Sequence, residues 1–194
     1  MGAAIDRAIG ALVVRLLRAV RRRRWYWPLA FPQARSYADI GAGTGAFAAE
    51  LQRRDKVVVA YERSRWGQLI ARSQRVDVRG LQLERVSLGD LVRVDVALCF
   101  EVAEHLRPDI GNTLVHVCAA SAPNVVFTAA EPDEGGSGHV NEQPRRYWID
   151  RFEQAGMNLD SGLTEMLRQG FAGAQARWLS QHVMVFVAAE QSGP

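Results

Sequence analysis

Glu101, Glu104 and His105 fall within the run Glu-Val-Ala-Glu-His. Residues three and four apart share a face where a chain enters a helical turn, so two carboxylates and an imidazole can be aimed at one point. Such a set suits a divalent cation, magnesium by its oxygens, with manganese or zinc tolerated by the nitrogen. The same imidazole can instead serve as a bare general base, since its pKa lies close to neutrality. Earlier in the chain Asp39 stands just before Gly41, Gly43 and Gly45. Gly41, Gly43 and Ala46 also satisfy the dinucleotide pattern G-x-G-x-x-G/A. A pyrophosphate held at the helix that follows would meet the Asp39 carboxylate at close range and be repelled, whereas a cationic ligand would be attracted.

These groups need a scaffold that delivers them to one edge. Strand-like and helix-like segments alternate: Ser-Tyr-Ala-Asp-Ile-Gly (36–41) then a helix at 46–53, 57–62 then 66–74, a third strand in 81–88, 94–101 then 110–120, and 124–130 then 145–155. Near-continuous apolar strands separated by helices predict an α/β fold, a parallel sheet covered on both faces. Ligands bind such sheets beyond the C-terminal ends of the strands, where the strand order reverses. The glycine turn and the Glu-Val-Ala-Glu-His run both follow strands, so both belong to that edge. A long loop, 131–144, follows the fifth strand and carries His139 over the same cleft, and loops of this length are commonly functional. A short helix at 163–169 and a long final strand at 182–190 close the chain, the strand pairing antiparallel at or near the sheet edge. His116 and His182 fall in apolar segments and are expected to be structural.

S-adenosylmethionine carries an amino group and a sulfonium, charges that Asp39 could meet. The pattern acid-x-Gly-x-Gly-x-Gly, here Asp39, Gly41, Gly43 and Gly45, resembles the first motif of the Rossmann-type S-adenosylmethionine-dependent methyltransferases. The resemblance covers about residues 36–190 and implies a doubly wound, mostly parallel seven-stranded sheet with an antiparallel last strand. It implies that Glu62, 23 residues after Asp39, holds the cofactor's ribose, that Asp90 contacts the adenine, and that Phe100 also lines the cofactor site. Glu-x-x-Glu-His-Leu after the fourth strand is common in the small-molecule branch of the family. With His139 added, the set Glu101, Glu104, His105 and His139 resembles the metal sites of small-RNA 3′-terminal 2′-O-methyltransferases. Without His139 it resembles those of ubiquinone-biosynthesis O-methyltransferases. The expected activity is methyl transfer to a hydroxyl of a sugar, glycan or other natural product, using magnesium or manganese or a base drawn from Glu101, His105 and His139. Ribose methylation of RNA and a non-catalytic cofactor-binding module are the alternatives.

Composition narrows the classes further. With 194 residues, 48% hydrophobic and 23% charged, the chain has the make-up of an ordinary globule. We divide it into an N-terminal helix and basic linker (1–32) and a methyltransferase domain (33–194). Residues 4–24 have the apolar spacing of an amphipathic helix and run into Arg21, Arg22, Arg23 and Arg24. This basic end could be a solvated lid, a nucleic-acid contact or a membrane-surface contact, but the segment is too short and too charged to span a bilayer. Cys99 and Cys118 make no disulfide framework, which suits a reducing, cytoplasmic setting. A homodimer partner could help to cover the cleft. "FEVA" stands where amino-group DNA methyltransferases carry Asp/Asn-Pro-Pro-aromatic, and Lys56, the single lysine, cannot form a Lys-Asp-Lys-Glu tetrad.

Overall fold

The structure is a computed structural model that describes residues 30–173 and 176–189. The amphipathic segment 4–24 and its arginine run lie outside the described residues. Seven strands form one sheet: β1 (Ser36–Ile40), β2 (Val57–Glu62), β3 (Val78–Gly80), β4 (Val96–Phe100), β5 (Asn124–Thr128), β6 (Met157–Leu159) and β7 (Met184–Ala188). Their order is β3-β2-β1-β4-β5-β7-β6. All pairings are parallel except those of β7, which runs antiparallel to both β5 and β6. The sheet is doubly wound and mostly parallel, as the resemblance implied. Strand order reverses between β1 and β4, which sets the ligand edge at the C-terminal ends of those two strands.

Among the described residues six helices cover the two faces: α1 (Ala46–Gln52), α2 (Arg65–Ser73), α3 (Pro108–Ser121), α4 (Arg145–Gln154), α5 (Ser161–Gly173) and α6 (Arg177–His182). The pleat sends alternate strand residues to opposite faces. In β4, Val96, Leu98 and Phe100 join the core under α1, α2, α5 and α6, while Ala97 and Cys99 join the core under α3 and α4. Every residue of β4 is therefore buried. Cys99 and Cys118 are free thiols in that second core. No helix among the described residues is long and apolar enough to cross a membrane.

The third strand departs from expectation. It is Val78–Gly80, and the segment 81–88 that was expected to form it holds a short 3-10 turn at Leu83–Arg85 and enters a second at Leu88–Asp90. Its apolar residues Leu81, Leu83 and Val86 pack against the α3 face instead of joining a ladder. Alternation records burial there, and only the ends of β2 offer backbone partners. Helix α5 is longer than the segment 163–169 because Asp160 caps it, accepting from Leu163 N at 2.8 Å.

Candidate functional site

The glycine turn is bound to the end of β2. Gly41 N and Ala42 N both donate to Tyr61 O, at 2.8 and 3.0 Å. Glu62 then accepts from Gly43 N at 2.7 Å through one oxygen and from Ser64 N at 2.6 Å through the other. Gly41, Gly43 and Gly45 have φ of +77°, +55° and +75°, the left-handed region that glycine enters without penalty. They are not equivalent. A Cβ on Gly41 would stand 2.3 Å from Val102 Cγ2 and one on Gly45 2.8 Å from Ala71 Cβ, whereas one on Gly43 would meet nothing within 4 Å. Gly41 and Gly45 serve packing; Gly43 faces open space. Gly67 in α2 is a fourth member that the motif does not include, since a Cβ there would lie 2.6 Å from Gly43 O and 2.9 Å from Glu62 Cγ.

Asp39 is 3% exposed, with Oδ2 lacking a hydrogen-bond partner. Burial pushes its pKa up to about 7, against a hydrogen bond from the Ala48 backbone in α1. Asp90 is exposed and lines a cavity of about 480 Å³ at the ends of β2 and β3, together with Tyr61, Leu91 and four arginines, Arg63, Arg65, Arg79 and Arg85. Phe100, expected to line the cofactor site, packs into the core between Phe47 and Phe171, with ring centroids 5.0 and 6.3 Å away.

On the other side of the switch point the chain leaving β4 turns sharply. Glu101 has φ +55°, uncommon outside glycine, and its N–H donates to Thr128 Oγ1 at 3.0 Å. A 3-10 turn, Ala103–His105, follows. The loop between β5 and α4 lies on this turn: Val140 N and Asn141 N donate to Glu104 O at 2.8 and 3.1 Å, and the buried Asn141 amide donates to Ala103 O at 3.3 Å. Glu104, His105 and His139 thereby converge, with one candidate ligand atom from each lying within 4.8 Å of the others.

Each imidazole in this cluster has one nitrogen committed. His105 Nδ1 is 3.3 Å from Gly138 O, and His139 Nδ1 is 2.7 Å from Glu142 Oε1. A carbonyl or carboxylate at Nδ1 favours the proton there and leaves Nε2 as a lone-pair donor, the outer-shell arrangement of metal-binding histidines. Burial lowers the His105 pKa, which favours its neutral form. Glu104 is 0% exposed and both its oxygens lack partners. Burial, followed by the nearby Glu101 charge, drives its pKa well up. Two oriented imidazoles and a buried, unpartnered carboxylate fit a divalent cation.

Glu101 stands outside that cluster. Its Oε1 is buried without a hydrogen-bond partner, 4.0 Å from His182 Nδ1, and desolvation raises its pKa. The structure thus brings together three of the four residues expected to hold a metal and turns the fourth toward a histidine expected to be structural. His182, 6% exposed, also meets Glu134 Oε1 at 2.7 Å through Nε2. Sequence reading missed His182, Glu134 and Glu142. Only Glu142 left a local signal, three residues after His139.

The sequence profile of the methyltransferase domain matches residues 6–171. The chain belongs to the methyltransferase-domain family. No protein with a curated description matches it. Solved structures resemble this methyltransferase fold at low identity. One is a SAM-bound amino pentose methyltransferase of calicheamicin biosynthesis from Micromonospora echinaspora, with 16% identity, a TM-score of 0.66, 91% of this chain covered and 97% of that one. Another is the SAH-bound magnesium protoporphyrin IX methyltransferase of Synechocystis, with 11% identity, a TM-score of 0.65 and coverage of 95% and 87%. Streptomyces venezuelae DesVI aligns with 14% identity, a TM-score of 0.64 and coverage of 84% and 87%.

Proposed function

We propose that the protein is an S-adenosylmethionine-dependent methyltransferase that acts on a hydroxyl of a sugar, glycan or related natural product, with a divalent cation held by Glu104, His105 and His139. One observation carries the oxygen-directed reading: both histidines have Nδ1 engaged, so that Nε2 is left for a ligand beside a buried carboxylate with no partner. The amino pentose methyltransferase among the structural neighbours supports a sugar-like acceptor.

On the cofactor side, Gly43 leaves backbone room and Glu62, already fixed by two N–H groups, keeps lone pairs for ribose hydroxyls. Bound there, the cofactor supplies an electrophilic methyl whose transfer to oxygen is an in-line displacement. The chain's task is then to hold the acceptor oxygen at near-attack distance and exclude water. A cation at Glu104, His105 and His139 would lower the pKa of an acceptor hydroxyl. Asn141 and the backbone of Val140 keep the loop seated on the turn that carries Glu104.

The test is turnover against a panel of sugar and phenol acceptors, read as release of S-adenosylhomocysteine, with and without chelator. A chelator should abolish turnover and magnesium or manganese restore it, while calorimetric binding of S-adenosylhomocysteine persists. Chelator-resistant activity with unaltered rates in Glu104→Ala and His105→Ala would overturn the metal assignment.

A further inference from the structure

We propose that His182 is a positioning residue for the acceptor side of the site, holding the β5–α4 loop through Glu134 so that His139 stays seated against Glu104 and His105. The inference rests on the acceptor-side reading above for its purpose, but its geometry stands independently of any metal.

Met184 lies opposite Phe127 in the antiparallel β5–β7 pair, so the residues just before Met184 run past the C-terminal end of β5. His182, the last residue of α6, is delivered there by the topology, beside the point where the loop leaves the sheet. Its ring is buried, and each nitrogen faces a carboxylate from a different element. Nε2 meets Glu134 of the loop at 2.7 Å; Nδ1 faces Glu101, which follows β4, at 4.0 Å. Glu134 is itself braced, since its other oxygen accepts from Glu131 N at 3.2 Å and so closes the first turn of the loop.

The loop is therefore fastened twice. At its far end the Val140 and Asn141 amides sit on Glu104 O, and His105 Nδ1 meets Gly138 O. At its near end, among the described residues, the side-chain tie to another element is Glu134 to His182. Between the two fastenings lie Gly135 and Gly136, and Gly135, like Gly138 at the far fastening, has a positive φ. Glycines leave a segment more conformational freedom than other residues do. Without the near tie, the stretch that leads to His139 would be held from one side only. The loop packs closely on itself at Gly136, where a Cβ would stand 2.3 Å from the His139 ring.

The two ring nitrogens allow a discriminating test. Glutamine places an amide donor near the position of Nε2 and can keep the tie to Glu134, whereas alanine removes it. In hydrogen exchange on the whole chain, amides in 133–139 should exchange at least tenfold faster in His182→Ala and in Glu134→Ala than in the wild type. Those near the glycine turn should be unchanged, and His182→Gln should restore most of the loop protection. Manganese added alone, followed by electron paramagnetic resonance, should bind at least tenfold more weakly to the two alanine variants and close to normally to His182→Gln. Unchanged loop exchange in Glu134→Ala, or a His182→Gln variant no better than His182→Ala, would overturn the proposal. Should His182→Ala fail to fold, Glu134→Ala carries the test, since Glu134 is part-exposed. A wild type that binds no manganese would count against the metal reading alone, and the exchange data would still judge His182.

Discussion

The two halves of the ligand edge are built on opposite terms. On the β1–β2 side each oxygen of Glu62 accepts from a backbone N–H, and the glycine turn is closed by hydrogen bonds to Tyr61 and Ala42. On the β4–β5 side Glu104 has no partner for either oxygen, and Glu101 Oε1 and His182 Nδ1 also lack one. A buried polar group left without a partner costs roughly 1–3 kcal/mol, more if charged. The first half is closed around Glu62, with Asp39 Oδ2 as its one buried, unpartnered carboxylate oxygen among the described residues. The second carries a standing deficit that a ligand would relieve. Under the proposed function, the difference separates a generic task, holding a cofactor, from a particular one, activating an acceptor.

Filling the first half should do most damage where it is tightest. Gly41→Ala combines a left-handed φ with a clash on Val102, and we expect a fall in Tm of roughly 5–15 °C in thermal melts. A near-normal Tm would show that the turn is looser than its geometry.

Next in size is a pH effect that crosses the two halves. Asp39 has a folded-state pKa raised from 3.8 to about 7, so the folded form binds its proton more tightly than the unfolded chain does. Its contribution is fully present below about pH 4 and is lost as pH rises through about 7, a change on the order of 4 kcal/mol. Glu101 and Glu104 are shifted in the same direction. Asp95, with its pKa lowered by the Arg35 and Ser36 amides, acts in the opposite sense and only at lower pH. Melts without ligand should therefore give a lower Tm at pH 8 than at pH 5, and Asp39→Asn should shrink that difference. A Tm that rises from pH 5 to pH 8 in the wild type would contradict it.

The smallest effect on stability should come from Gly43→Ala. It meets no neighbour, so only the φ of +55° opposes it, at about 1 kcal/mol. Affinity for S-adenosylhomocysteine should nevertheless fall at least tenfold by calorimetry. Equal affinity would mean that the open space at Gly43 is not where the cofactor lies.

The same contrast governs what could be read from the sequence. The cofactor half is made by neighbours in the chain: Asp39 and the glycines fall within seven residues, and Glu62 ends the next strand. Such spacing is visible before any folding. In the acceptor half the cluster of Glu104, His105 and His139 was legible because a strand end and a long loop could be assigned to the same edge. His182 was not, because its place depends on β7 entering between β5 and β6, a pairing that apolar periodicity does not encode. Gly67 was missed for a related reason: a helical glycine looks like a weakness until the turn that it admits is seen beside it. The misplaced third strand followed from an apolar alternation that belongs to packing beneath α3.

The insertion of β7 also bears on how the molecule is made. Among the described strands β7 comes last in the chain, yet it occupies an inner position and is the sole sheet partner of β6. As the polypeptide emerges from the ribosome, β1 to β5 can assemble in order, but β6 has nothing to pair with and the flank of β5 stays open. A nascent chain halted before Met184 would present an unpaired parallel edge, the kind of surface on which strands from other molecules add. Synthesis of β7 is thus the event that closes the sheet, and the β4–β5 side of the ligand edge is assembled in the same moment.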